Sequence, residues 1–444
     1  MLLARPSTFN AVKAAFGPCP NRLAIATSRI PRSASQTLRS YASAGITESL
    51  KRTPLYDFHV KNGGKMVPFA GWSMPSELRR CRTRYAHAAW SRQITAEIRV
   101  AVASHNHVRT AAGLFDVSHM IQQTFRGPSA QAFLSHICPT SISALRPYTS
   151  SLSVLLNESG GIIDDMIVTK HANDNEFYVV TNAGRAKEDG EWISKQLQQW
   201  NAAEGKGKGK EVDWKKLDGY GLVALQGPKA GEVLQSLTSY DVSSLKFGQA
   251  AYMDIQGAKC HVARGGYTGE DGFEISLPPD AAVAITEKLA SSPGVQLTGL
   301  GARDSLRLEA GMCLYGNDLD ESISPVEAGL SWVVGKDRRA AGDFIGAERV
   351  LKELKEGPAR RRVGLEILGA PARQGAEIFS DDEAAQIGVI TSGIPSPTLG
   401  SYIAMGYVKN GYHKKNTQVK VKVRRNMREA VVKPMPFVPA KYYR

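Results

Sequence analysis

The stretch QVKVKVRR (418–425) alternates Val419, Val421 and Val423 with polar residues, the two-residue period of a strand with one face buried. The same texture extends outward from it through everything after Glu356–Pro358, where short apolar runs are cut by Gly/Pro turns without helical periodicity. Upstream the texture changes. SLSVLLN (151–157), EFYVVT (176–181) and YGLVALQGP (220–228) read as strands. Residues 186–200 carry Trp192, Ile193, Leu197 and Trp200 at helical spacing, and AAVAITEKLASS (281–292) reads as a second amphipathic helix. A boundary near 345–360 therefore separates a larger α+β part from a small all-β domain. No internal repeat is legible, and GKGKGK (205–210) reads as a solvated loop.

At 444 residues the chain exceeds one ordinary core, so two or three domains are expected. Its 42% hydrophobic and 22% charged residues have the balance of a globular protein. No run approaches the roughly 18 apolar residues of a membrane span. Cys19, Cys81, Cys138, Cys260 and Cys313 are scattered without a C-x-x-C pair, which indicates neither a disulfide framework nor a zinc site and fits a reducing compartment.

The net charge of +14 raises the question of nucleic acid, and its distribution answers it. Residues 1–45 hold six basic residues and no acid, a net of +6, and residues 76–103 hold six arginines against Glu77 and Glu97, a net of +4. That leaves +4 for the rest of the chain, too little for a nucleic-acid footprint on the folded domains. The Arg-, Ser- and Ala-rich, acid-free residues 1–45 have the composition of a mitochondrial transit peptide, with processing expected near Tyr41–Gly45.

Several blocks carry residues with chemistry. Asp164 and Asp165 follow Gly160-Gly161 at a strand entry, where alternation puts the two carboxylates on opposite faces. Read alone, they fit a turn-capping pair. Glu274, between Phe273 and Ile275, reads alone as a solvent-facing strand residue. Arg303, Asp304, Arg307 and Glu309 could form a surface ion-pair face on a helix. His119 has no second His or Cys at ligand spacing and reads as a packed structural residue. GGYTGEDG and GLGA do not fit a dinucleotide fingerprint, so their glycines serve turns and close backbone approach.

Taken together, TPLYDFH (53–59), LFDVSHM (114–120), SGGIIDDMIV (159–168), GGYTGEDGFEIS (265–276), GLGARDSLRLEAGMCLYGNDLDESISP (299–325), TSGIPSPTLG (391–400) and PFVPAKYY (436–443) closely resemble the aminomethyltransferases, the T-proteins of the glycine cleavage system. The likeness runs from Thr53 to Arg444 except for 76–103, an Arg-rich segment longer than the family's usual connection and read as a peripheral insertion. The resemblance implies an α+β, three-domain clover-leaf folate-binding fold. Its parts are the leader 1–45, a folate-binding region 46–345 of two subdomains, and a C-terminal β-barrel domain 346–444. It implies transfer of a one-carbon unit from an aminomethyl group on lipoylated H-protein to tetrahydrofolate, giving 5,10-methylenetetrahydrofolate, ammonia and the dihydrolipoyl carrier. The implied setting is the mitochondrial matrix, beside the P- and L-proteins, with tetrahydrofolate as co-substrate and no metal, nucleic acid or membrane involved. Asp165 matches the catalytic position. Glu274, Arg303 and Tyr442 match folate-binding positions, with Tyr443 one register away, and Asp164 and Asn182 belong to the same binding set. A folate module of the dimethylglycine or sarcosine dehydrogenase kind would need a flavin domain that has no room here. The related iron–sulfur assembly group carries K-G-C-Y-x-G-Q-E where this chain has GGYTGEDG.

Overall fold

The chain is described by a computed structural model at residues 50–78, 96–202 and 210–444, so the leader, residues 79–95 and most of GKGKGK lie outside the described residues. Two sheets built on one plan form the larger part. In the first, Thr149–Leu156, Ile162–Lys170, Glu176–Thr181, Ile121–Arg126 and Asp213–Lys216 lie side by side in that order. In the second the order is Ala250–Ile255, Ala258–Arg264, Gly272–Leu277, Gly221–Gln226, Ala112–Asp116 and Val295–Leu297.

The shared plan is an internal repeat that the sequence did not reveal. Ile121–Arg126, the helix Ala130–Ile137 and the turn Ile142–Ala144 have counterparts 100 positions on, in Gly221–Gln226, Ala230–Gln235 and Val242–Ser244. Each first strand ends in a Gly-Pro turn whose glycine sits at positive φ, +129° at Gly127 and +130° at Gly227. A Cβ there would come within 2.2 Å of the Glu211 carbonyl and 2.3 Å of the Ala111 carbonyl, so only glycine fits. Where the halves meet, Ser150 N donates to Gly248 O (2.7 Å) and Ala250 N to Tyr148 O (2.8 Å), a reciprocal pair about a local twofold axis. Backbone plan and turn glycines are repeated, but few side chains are, which is why no periodicity showed.

Each sheet has a helix-covered face. Phe125, Phe133, Ile137 and Phe177 fill one core, and Leu225, Val262, Phe273, Ile275 and Leu289 fill the other. The opposite faces share a third core of Phe115, Val117, Tyr178, Val180, Leu222 and Ala224, joined by Ala302 and Leu306 of the helix Leu300–Glu309. Because Phe273 and Ile275 face the helices, strand alternation turns Glu274 toward this middle layer.

The C-terminal strands close into a six-stranded barrel, with Val419 and Val421 buried inside beside Leu365, Ile378 and Ala430. The helix Ala347–Glu356 ends at Gly357 and the barrel opens at Arg360, inside the span where the composition shifts. The atypical segment 76–103 is trimmed by the structure. Residues 76–78 finish the strand Trp72–Leu78, paired with Gly64–Phe69, and 96–103 start the helix Ala96–Thr110.

Candidate functional site

The strand Ile162–Lys170 puts its two adjacent carboxylates on opposite faces. Asp164 is fully buried and Asp165 half-buried. Asn182, just past the end of Glu176–Thr181, ties them together. Its backbone N–H donates to Asp164 Oδ2 (2.8 Å), and its Nδ2 donates to Asp164 Oδ1 (2.9 Å) and Asp165 Oδ1 (3.0 Å). Burial, and then the charge of Asp164, pushes the Asp165 carboxyl up to about 7, against the pull of the Asn182 donor. A carboxyl titrating there can hold or release a proton at physiological pH.

Asp165 does not stand alone. Tyr267 lies within electrostatic reach of both Asp165 and Arg303, and its hydroxyl donates to the Cys313 carbonyl. The Arg303 guanidinium sits over the Tyr267 ring, 4.6 Å from its centroid. Glu274 faces Arg303: burial pushes its carboxyl up and the guanidinium pulls it back. Burial in turn holds Arg303 below the usual guanidinium range, against the pull of Tyr267 and Glu274. Among the described residues neither Glu274 nor Arg303 makes a side-chain hydrogen bond or ion pair, although both are half-buried. Desolvated charges left without hydrogen bonds are costly unless a ligand supplies the partners.

His119 lies against the same layer, its ring edge-on to Phe69 at 5.4 Å. Burial lowers it to about 4, so it is neutral at physiological pH and does not repel Arg303. The helix bearing Arg303 is pinned by buried ion pairs rather than by the surface face its sequence suggested. Arg307 donates to Asp304 (2.8 Å), Asp318 (2.7 Å) and Ser392 (2.9 Å), tying the helix to the barrel, and Glu309 accepts from Arg109 (2.7 Å). Arg307 and Glu309 are both buried.

The structure thus groups Asp164, Asp165 and Asn182 by hydrogen bonds and connects Asp165 through Tyr267 to Arg303 and Glu274. Tyr442 is placed differently. It stacks on Phe247, with ring centroids 4.0 Å apart, and lies near Arg109 and Glu270. Sequence reasoning missed Tyr267, whose block was read for its glycines, and Asp189, an unremarkable acid on the helix Ala186–Ala202.

Two repeated sheets with a shared middle layer, followed by a barrel, correspond to two families found in succession along the chain. Residues 55–338 match the GCVT N-terminal domain and residues 360–439 the glycine cleavage T-protein C-terminal barrel domain. The chain belongs to the glycine cleavage T-protein family, the aminomethyltransferases. It is 46% identical to a probable mitochondrial aminomethyltransferase of Schizosaccharomyces pombe, over 92% of this chain and 98% of that relative. It is 49% identical to the mitochondrial aminomethyltransferase of Mesembryanthemum crystallinum, over 89% of this chain and 91% of that relative. The crystal structure of the glycine cleavage system aminomethyltransferase T from Bartonella henselae superposes with a TM-score of 0.77 at 38% identity, covering 89% of this chain and all of that one.

Proposed function

We propose that this chain works as a mitochondrial aminomethyltransferase of glycine cleavage, with tetrahydrofolate bound in the layer between the two sheets and lipoylated H-protein as the aminomethyl donor. The P- and L-proteins of the same system act before and after it. The observation that carries the reading is the half-buried set in which a carboxyl poised near 7 is linked through Tyr267 to a facing carboxylate and guanidinium that, among the described residues, make no side-chain hydrogen bond.

The donor carbon sits between nitrogen and sulfur. Its transfer to tetrahydrofolate breaks the C–N and C–S bonds and forms bonds to N5 and N10, releasing ammonia and the dihydrolipoyl thiol. This chain's residues bind, orient and handle the protons. Glu274 accepts from the parallel N–H donors of the pterin edge, the pairing a carboxylate suits best. Arg303, held over Tyr267, donates to the ring acceptors. Asp165, fixed by Asn182, takes the proton shed at the folate nitrogen as the new bond forms. Tyr442 supplies an aromatic wall for the part of the folate that extends away from the pterin. Enclosure between the sheets holds the two reactants together and keeps water from the activated carbon.

The pH profile of transfer tests this. Wild type should show a limb near pH 7, and Asp165→Asn should lose that limb together with turnover by a factor on the order of 10². A variant that turns over normally would remove Asp165 from the reaction.

A further inference from the structure

Tyr267 sits on the turn 265–271, between the strands Ala258–Arg264 and Gly272–Leu277, and Arg303 sits on the helix Leu300–Glu309. Their contact, guanidinium over ring at 4.6 Å, is only as well defined as the placement of that turn against that helix. One side of the turn is fixed to its own sheet. Gln226 Nε2 donates to the Gly265 carbonyl (2.9 Å), Thr268 Oγ1 donates to Gln226 Oε1 (2.8 Å), and Arg264 Nε donates to Asp271 Oδ1 (3.0 Å). A Cβ on Gly266 would come within 2.0 Å of the Gln226 side-chain amide, so the turn lies directly on it. None of these contacts reaches the helix.

The other side of the turn meets the end of the helix, where Gly269 backs onto Ala310; a Cβ on Gly269 would stand 3.1 Å from that of Ala310. Arg109, in the last turn of the helix Ala96–Thr110, bridges this junction. Its Nη1 donates to the Thr268 carbonyl (2.8 Å) and to Glu270 Oε1 (3.0 Å), and its Nη2 donates to Glu309 Oε2 (2.7 Å). All three side chains are buried: Arg109 is 8% exposed, Glu270 1% and Glu309 0%. We infer that Arg109 is a positioning residue for the transfer: it clamps the turn 265–271 to the end of the helix Leu300–Glu309 and so holds Tyr267 against Arg303.

The two ends of the clamp are unequal. Glu309 also accepts from the Thr398 N–H (3.0 Å), the Thr398 hydroxyl (2.6 Å) and Ser396, and His105 Nε2 lies 3.2 Å from it. It stays satisfied without Arg109. Glu270 has only Lys441 besides, at 3.4 Å on the same oxygen, and its Oε2 has no partner among the described residues. Loss of the guanidinium therefore frees the turn more than the helix. Lysine cannot replace it, because a single ammonium lacks the planar fork that reaches both sides at once.

This inference rests on the folate ring lying at Arg303 and Glu274, and the test separates the two. Tetrahydrofolate affinity by calorimetry and the kinetics of transfer are measured for wild type, Arg303→Ala, Arg109→Lys, Tyr267→Ala and the double variant Arg109→Lys/Tyr267→Ala. Arg109→Lys should raise the Kd for tetrahydrofolate about tenfold and leave the KM for H-protein within about twofold of wild type, since the misplacement is confined to the folate side. Because Arg109 acts through Tyr267, the double variant should bind folate no more weakly than Tyr267→Ala alone, whereas a general loss of packing would add to it. If Arg303→Ala binds folate as wild type does, the reading of the folate site fails. If Arg303→Ala weakens binding while Arg109→Lys does not, or if the Arg109 and Tyr267 losses simply add, the inference is overturned. Should Arg109→Lys fail to fold, Glu270→Ala loosens the turn side alone. It should raise the Kd about threefold, again without adding to Tyr267→Ala, and unchanged affinity would refute the clamp.

Discussion

Asp165→Asn should make the protein more stable at alkaline pH while disabling it. In the open chain an aspartate titrates near 3.9, whereas in the fold Asp165 is pushed up to about 7. A carboxyl raised in this way stabilises the fold when protonated. The contribution is fully present below about pH 4 and is lost as pH rises through 7. Taken in full, the displacement corresponds to about 4 kcal/mol of cost at pH 8. Asp165 keeps partial access to water, and screening reduces this to about 2 kcal/mol. Asparagine is neutral at every pH and can still accept from the Asn182 amide at the position now 3.0 Å away. The variant should therefore match wild type below about pH 4, gain on it as pH rises toward 7, and melt about 2 °C higher at pH 8, a shift scaled to the size of the chain. Thermal melts of both proteins across that range measure it. A difference independent of pH, or a variant less stable at pH 8, would mean that the Asp165 carboxyl is not held high by its surroundings.

Three further outcomes are expected. Glu274→Gln or Arg303→Ala should each weaken tetrahydrofolate binding by about 2–3 kcal/mol, because a desolvated partner is left unpaired; calorimetric titration with unchanged affinity in both would put the pterin elsewhere. Gly127→Ala and Gly227→Ala should each cost at least about 2 kcal/mol of stability, since both meet a carbonyl at positive φ; denaturant unfolding that spares either one would break the equivalence of the two halves. Deleting 79–95, while keeping 76–78 in their strand and 96–103 in their helix, should leave transfer from H-protein intact, and a raised KM for the carrier alone would make the segment a docking element instead.

What the sequence made legible was periodicity and composition. Val419 and Val421 announced a half-buried strand of an all-β domain, and in the closed barrel that strand buries every second residue. EFYVVT occupies Glu176–Thr181, and the helix expected at 281–292 runs from Ala282 to Ser291. The site was harder to read. Alternation correctly separated Asp164 from Asp165, but nothing local shows that Asp189, 25 positions after Asp164, comes back beside it, because a helix folding back on a sheet brings them together. Glu274 looked solvent-facing because a strand of this pattern usually has one wet face. Here the first sheet covers that face, and the residue becomes half-buried opposite Arg303. Arg307 and Glu309 looked like a surface pair for the same reason, until the barrel and the helix Ala96–Thr110 closed over them.

Mixing the purified protein with aminomethylated, lipoylated H-protein and tetrahydrofolate, and following methylenetetrahydrofolate and ammonia together, reads the transfer itself. Both should form in equal amounts, neither at a comparable rate without folate, and Asp165→Asn should suppress both. Tight folate binding with no transfer from the carrier would contradict the proposed function.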